Sequence, residues 1–275
     1  MLANEPLIRL SFFIGIFALV ALLEMLAPRR RQTIPIPLRW VNNLGLVVVN
    51  TFLLRLAVPI LAVGFALLAE DKGWGILNNV ALPAWAVMTL SFLALDLTIY
   101  LQHVMFHAVP TLWRLHRAHH TDLEFDVTTG LRFHPLEIII SMGIKLAAIA
   151  VIGSPAVIVL VFEVMLNATS MFNHGNFRIP PQLDRILRWF IVTPDMHRVH
   201  HSVYPDETNS NFGFNLPWWD RLLGTYRAQP RDDHKDMVIG VSQFRTPRDL
   251  WIDKILIQPF REAATRYPIN RDGSE

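Results

Sequence analysis

The apolar stretches of this chain are too long for the core of a soluble domain. Hydrophobic runs cover roughly residues 7–26, 44–68 and 84–103, followed by a pair of shorter runs at 137–153 and 155–172. Runs of about 18 or more apolar residues are long enough to cross the hydrocarbon of a bilayer as helices. Only 17% of the 275 residues are charged, against about 25% in a typical soluble domain. The fold class expected is therefore an all-α integral membrane protein with four to five transmembrane or re-entrant helices.

Orientation follows from the loops. The first run is followed by "PRRRQ" rather than by a small-residue cleavage site, so it reads as a span and not as a removable signal. The loop beyond it carries Arg29, Arg30, Arg31 and Arg39 and no acid, which places it on the cytoplasmic side. The second span leaves and the third returns. The shorter pair is hinged on Gly153, Ser154 and Pro155, and a hairpin brings the chain back to the side it left. Every histidine-bearing segment then falls on the cytoplasmic face, as a helical cap. Lys145 and Glu163 lie nine residues either side of Ser154 and should pair across the hairpin, because a lone charge at that depth is costly. The expected organisation is an N-terminal transmembrane hairpin (1–82), a catalytic domain (83–230) and a C-terminal amphipathic tail (231–275). Within the polar part, 183–192 and 249–260 suit helices lying in the interface with Trp189 and Trp251 at headgroup level, or equally helices packed on the cap.

Ten of the 11 histidines fall between residues 103 and 201. They are His103 and His107, then His116, His119 and His120, then the single His134 and His174, and finally His197, His200 and His201. On a helix, positions i, i+3 and i+4 share a face, so "HVMFH" offers two donors and "HRAHH" and "HRVHH" three each. Thr193-Pro194 ahead of the last face, and Pro110-Thr111 ahead of the middle one, read as helix starts. Cysteine is absent, so a metal here must be held by nitrogen or oxygen. Ten imidazoles exceed the four ligands of one zinc and suit two metals with about five donors each. No Glu is followed by His three residues on, which excludes the carboxylate-bridged di-iron bundles. Imidazole suits iron as well as zinc, so ligand type alone does not name the metal. The net charge of +2 gives no reason to expect nucleic acid.

The order HxxxH…HxxHH…HxxHH, with "FHP", "NHGN" and the "WDRLLGTY" of Trp219–Tyr226, resembles the fatty acid hydroxylase/sterol desaturase superfamily over about residues 90–230. The resemblance implies a membrane-bound, O2-dependent, non-haem di-iron oxygenase that hydroxylates or desaturates a lipid. It also implies two Fe ions, which zinc can displace in a purified sample, and a separate electron donor of ferredoxin, cytochrome b5 or reductase type, because no such motif is found here. The setting expected is the bacterial inner membrane. Asp96 and Tyr100 share a helix face with His103 and His107, and an acid inside a span calls for a partner or a role, so both are expected to orient imidazoles. Asp195, Asn173, Asn176 and Asn211 are further groups of this kind, while Arg117 and Arg198 suit carboxylates or headgroups. Two rival readings remain: a histidine-rich metal transporter, which should carry its donors mid-span, and a zinc-dependent hydrolase, which would leave most of them idle.

Overall fold

A computed structural model describes residues 2–261 and 267–269. It is helical, with two isolated β-bridges and no strand among the described residues. Five helical segments are long and apolar enough to cross a membrane. This is an all-α integral membrane protein.

Helix α1 (Glu5–Leu26) has Pro6 in its first turn, where the missing N–H costs nothing. Helix α2 (Ile36–Ala57) and α3 (Ala62–Asp71) fall in the second apolar run, which does not continue unbroken from 44 to 68. Pro59 lacks an N–H and pushes Val58 to extended backbone (φ −124°, ψ 101°), so the helix stops and restarts. Helix α4 (Ala84–Ala108) carries the first two histidines at its end, and α5 (Pro110–His120) follows after one residue. Pro110 is the first residue of α5 and Val109 its cap, so Thr111 lies inside the helix and does not cap it.

Helices α6 (Pro135–Ile152) and α7 (Ala156–Asn173) form the expected hairpin. Gly153 ends α6 with φ +76°, a left-handed conformation that other residues reach only with strain. Gly75 presses on this turn so closely that a Cβ would lie 2.1 Å from the Gly153 nitrogen. Lys145 Nζ meets Glu163 Oε1 at 2.6 Å, and Arg9 of α1 binds the other oxygen of the same carboxylate. The cap comprises α8 (Pro181–Leu187), α9 (Pro194–His200), α10 (Pro205–Thr208), α11 (Trp218–Leu222) and α12 (Ile252–Ile257). Thr193 caps α9 by accepting the Met196 N–H. Trp189 and Trp251 are about half exposed (55% and 47%). Helix α12 packs on α2, burying Ile255 against Leu46 and Ala118. Part of the 231–275 tail lies outside the described residues.

The ends that matter meet at one end of the bundle: the C-termini of α4 and α7, the N-terminus of α6, and the short helices α5 and α9. Between α1, α2, α4, α6 and α7 lies a cavity of about 400 Å³ that reaches His103 and His116 at its inner end.

Candidate metal centre

Nine histidines, all buried, converge in two groups. One holds His103, His107, His116, His120 and His200; the other holds His119, His174, His197 and His201. In each group the ring nitrogens lie within 4.8 Å of one another. The two HxxHH segments are interlocked. His116 and His120, four apart, serve the first group and His119 the second, while His197 and His201 serve the second and His200 the first. The i+3 ring lies about 60° round the helix from the i ring and about 100° from the i+4 ring, so one short helix can face both groups at once.

The tenth expected donor is not there. His134 caps α6: its Nδ1 accepts the Leu136 N–H, and its Nε2 meets the Leu256 carbonyl at 3.2 Å. The proline that follows starts α6, which makes His134 its N-cap.

The ring orientations are set from behind. Carbonyl oxygens only accept, so the Nδ1 atoms of His103, His119, His174 and His200 donate to Phe212, Arg132, Ser170 and Ser210. His107 Nδ1 donates to Asn209 Oδ1, whose amide nitrogen is committed to the Tyr267 carbonyl. His116 Nδ1 lies 2.6 Å from Glu137 Oε1. A neutral imidazole carries one proton, so each of these six rings, when neutral, presents a bare Nε2 inward. Nε2 of His103 is 3.1 Å from Nε2 of His116, and Nε2 of His174 is 3.1 Å from Nε2 of His119. Lone pairs facing at that distance repel unless a cation sits between them. Nitrogens bound at about 2.0–2.1 Å to one ion, at tetrahedral or octahedral angles, lie about 2.9–3.4 Å apart. The donor set fits metal. Burial, reinforced by neighbouring imidazoles, holds His119, His120, His197, His200 and His201 well below the usual histidine range, hence neutral and able to bind.

A buried ionic frame holds the loop between α5 and α6. Arg39 donates both Nε and Nη2 to Asp122 at 2.8 Å and also binds Asp126. Burial would raise the Asp122 carboxyl, but the Arg39 guanidinium outweighs it and leaves it at about 2. Arg132 donates to Ala118 O, Asn43 Oδ1 and Thr121 Oγ1, which fixes the carbonyl that receives His119.

The carboxylates expected to touch imidazoles do not. Asp96 accepts from Asn215 Nδ2 and Trp219 Nε1, both at 2.8 Å, and Tyr100 bonds Thr225 at 2.8 Å. Both pin the 211–226 loop to α4, and that loop supplies the Phe212 carbonyl to His103; their reach to the centre is indirect. Asp195 pairs with Arg29 and Arg198, and the imidazole near it, His234 at 3.9 Å, belongs to neither group. Asn173 donates to Phe214 O, Asn176 to Arg30 O, and Asn211 to Met196 O and Arg227 O. Arg117 donates to the backbone carbonyls of Gln258 and Arg261. Glu137 does touch a ring, and the sequence reading misses it. Its position two residues after Pro135, in the first turn of a helix next to a histidine, is the signal that could have found it.

Residues 88–225 match the family model described as fatty acid hydroxylase, half of the chain. The chain belongs to the fatty acid hydroxylase family. Relatives of this hydroxylase-family chain include an ornithine lipid hydroxylase of Rhizobium tropici, 30% identical over 55% of this chain and 45% of that protein. An alkylglycerol monooxygenase of Xenopus tropicalis is 30% identical over 50% of this chain and 30% of its own length. A cholesterol 25-hydroxylase of Rattus norvegicus is 24% identical over 51% and 47%. The chain thus matches less than half the length of each of these relatives. No solved structure matches it.

Proposed function

We propose that this fatty acid hydroxylase family member is a membrane di-iron oxygenase that hydroxylates, or desaturates, a C–H bond of a lipid. The observation that carries this is the pair of interlocked histidine groups at the inner end of a cavity running between the spans. His103, His107, His116, His120 and His200 would hold one iron and His119, His174, His197 and His201 the other. Iron there supplies O2 activation and removal of hydrogen from an unactivated carbon. The balance is R–H + O2 + 2 electrons + 2 protons giving R–OH + H2O, and the electrons come from a separate donor protein of ferredoxin, cytochrome b5 or reductase type. Backbone carbonyls, Asn209 and Glu137 hold the Nδ1 protons, so the rings are oriented before metal enters. The relatives, lipid hydroxylases and monooxygenases by name, support the reaction class.

A metal transporter would need donors along a conduction path, whereas these nine are buried at one end of the bundle. A zinc-dependent hydrolase needs about three ligands and an open position, which leaves six rings without work. The setting proposed is the bacterial inner membrane, with the histidine cap on the cytoplasmic face, where the Arg29–Arg31 loop also lies. The reading is tested by supplying reductant and lipid extract to the purified enzyme. Reductant-dependent O2 uptake with a lipid product 16 mass units heavier is expected, or 2 units lighter for desaturation. Absence of uptake with iron bound would overturn it.

A further inference from the structure

Helices α8 and α11, on the flank of the cap, expose more large apolar side chains than a face in water would carry. Leu183, Ile186 and Phe190 recur at i, i+3 and i+7 along α8 and the turn that follows it, and Trp218, Leu222 and Leu223 cover α11. Phe190 is 60% exposed and Leu222 72%. The two stretches form one surface. Trp218 Nε1 donates to the Trp189 carbonyl at 2.7 Å, and Arg221 donates to the Arg188 carbonyl at 3.1 Å. The Arg221 guanidinium also lies 4.1 Å from the centre of the exposed Trp189 ring. Contiguous apolar faces of this kind mark a surface that meets lipid or protein.

Depth favours lipid. Asp96 accepts from Trp219 Nε1 and Asn215 Nδ2, and Asn215 in turn accepts from Thr169 of α7. Asp96 lies 12 residues from Ala84, where α4 begins, and Thr169 lies 13 residues from Ala156, where α7 begins. Those separations are about 18 and 20 Å of helix, and tilt only shortens the depth they span. Both starts belong to the far end of the bundle, where Gly75 presses on Gly153 and where Trp74, Ile76 and Trp85 are exposed, as at a bilayer interface. Residues 215–219 therefore stop about 10 Å short of the near edge of a hydrocarbon layer about 30 Å thick. The apolar side of α8 and α11 stands level with acyl chains. Arg178 and Arg185, both exposed, flank it, while its acids are committed, Asp184 to Arg188 and Asp220 to the Phe212 and Gly213 amides. That balance of charge suits headgroup phosphates at the rim.

We infer that α8 and α11 form a foot by which the cap inserts into the leaflet on the metal-centre side. Phe190, Leu222 and Leu223 lie among the acyl chains, and Arg178 and Arg185 meet the phosphates, so the occupant of this face is phospholipid. A foot of this kind needs neither metal nor turnover and stands whether or not the oxygenase reading does. It also reaches the centre. The 211–226 loop that carries α11 supplies the Phe212 carbonyl to His103, so one segment touches lipid on its outer side and orients a ring on its inner side.

The chain has no cysteine, so a single introduced thiol can be labelled cleanly. Phe190→Cys and Leu222→Cys, each carrying the fluorophore NBD, are placed as full chains in phosphatidylcholine nanodiscs. Ile14→Cys on α1 serves as the lipid reference and Lys235→Cys in the cap as the water reference. With chain-brominated lipid, both foot probes should lose at least half as much emission as the Ile14 probe. Iodide in the buffer should quench them at least five-fold less than the Lys235 probe. Quenching by iodide like that at Lys235 would place the face in water, and shielding from both quenchers would place it against protein, a second copy included; either result overturns the inference. The unsubstituted chain gives an independent check in vesicles carrying a phospholipid with a diazirine in its acyl chain. After irradiation, peptides covering 183–190 and 218–223 should carry label within about two-fold of those from α1 and at least ten-fold above those covering 231–236. Labelling no higher than at 231–236 would overturn the inference equally.

Discussion

A single proton on Nδ1 decides what each imidazole of this centre can do. Where a carbonyl, Asn209 or Glu137 takes that proton, Nε2 is left bare and aimed at its neighbours. Groups of this kind usually tune metal affinity by 10–100-fold. Glu137→Gln should therefore lower iron affinity by about ten-fold or more, read by metal titration of the purified chain, while the fold survives. His134 provides the contrast. His134→Ala should leave metal content unchanged and cost about 1 kcal/mol of stability through the lost cap. A loss of metal in that variant would place His134 back among the ligands. At this scale the sequence is legible in its donors and illegible in what stands behind them. Histidine spacing reveals which rings share a helix face, but four of the six Nδ1 partners are backbone carbonyls, which every residue has and no sequence pattern marks.

At the scale of elements, the two HxxHH segments interlock because α5 and α9 are short helices that each present rings to both groups. The sequence makes the helices and their three-ring faces visible; the exchange of His119 and His200 between groups depends on how the two helices face each other, which spacing does not record. The same limit explains Asp96. It lies on the expected face, but the loop that α4 holds, not a ring, occupies the space beside it. That loop turns on Asp220, whose carboxylate accepts from the Phe212 and Gly213 amides and the Thr225 hydroxyl. Burial nevertheless pushes its carboxyl up to about 6 from an ordinary 3.8. A raised acid favours the fold below its unfolded value and loses that contribution as pH rises through its folded one. Wild type should thus gain about 1 kcal/mol over Asp220→Asn between pH 7.5 and pH 5, measured by thermal unfolding. A gap independent of pH would show that the carboxyl is not raised. The hairpin of α6 and α7 is legible down to its hinge and its Lys145–Glu163 pair. Arg9 is not, because nothing in the sequence brings α1 against α7. Exchanging Lys145 and Glu163 puts an ammonium beside Arg9 where the carboxylate stood, so the double swap should recover only part of the membrane yield lost in either reversal. Adding Arg9→Gln should recover more. Full recovery by the double swap alone would remove Arg9 from the network.

Over the whole molecule, five apolar helical segments carry a cap whose chemistry is concentrated where the helices of the bundle end. Hydropathy makes the spans readable because membrane burial imposes length and composition on each one. The break at Pro59 and the ionic frame of Arg39, Asp122 and Arg132 are not readable in that way. The frame depends on contacts between segments more than 80 residues apart in sequence. The central claim is that nine histidines make two metal centres. The most direct measurement is the iron bound per chain after anaerobic loading with Fe(II), in wild type and in His174→Ala. Two irons in wild type, with one retained in the variant because its ring serves only the second group, is the result expected. A single metal in wild type, or the same content in both proteins, would contradict it.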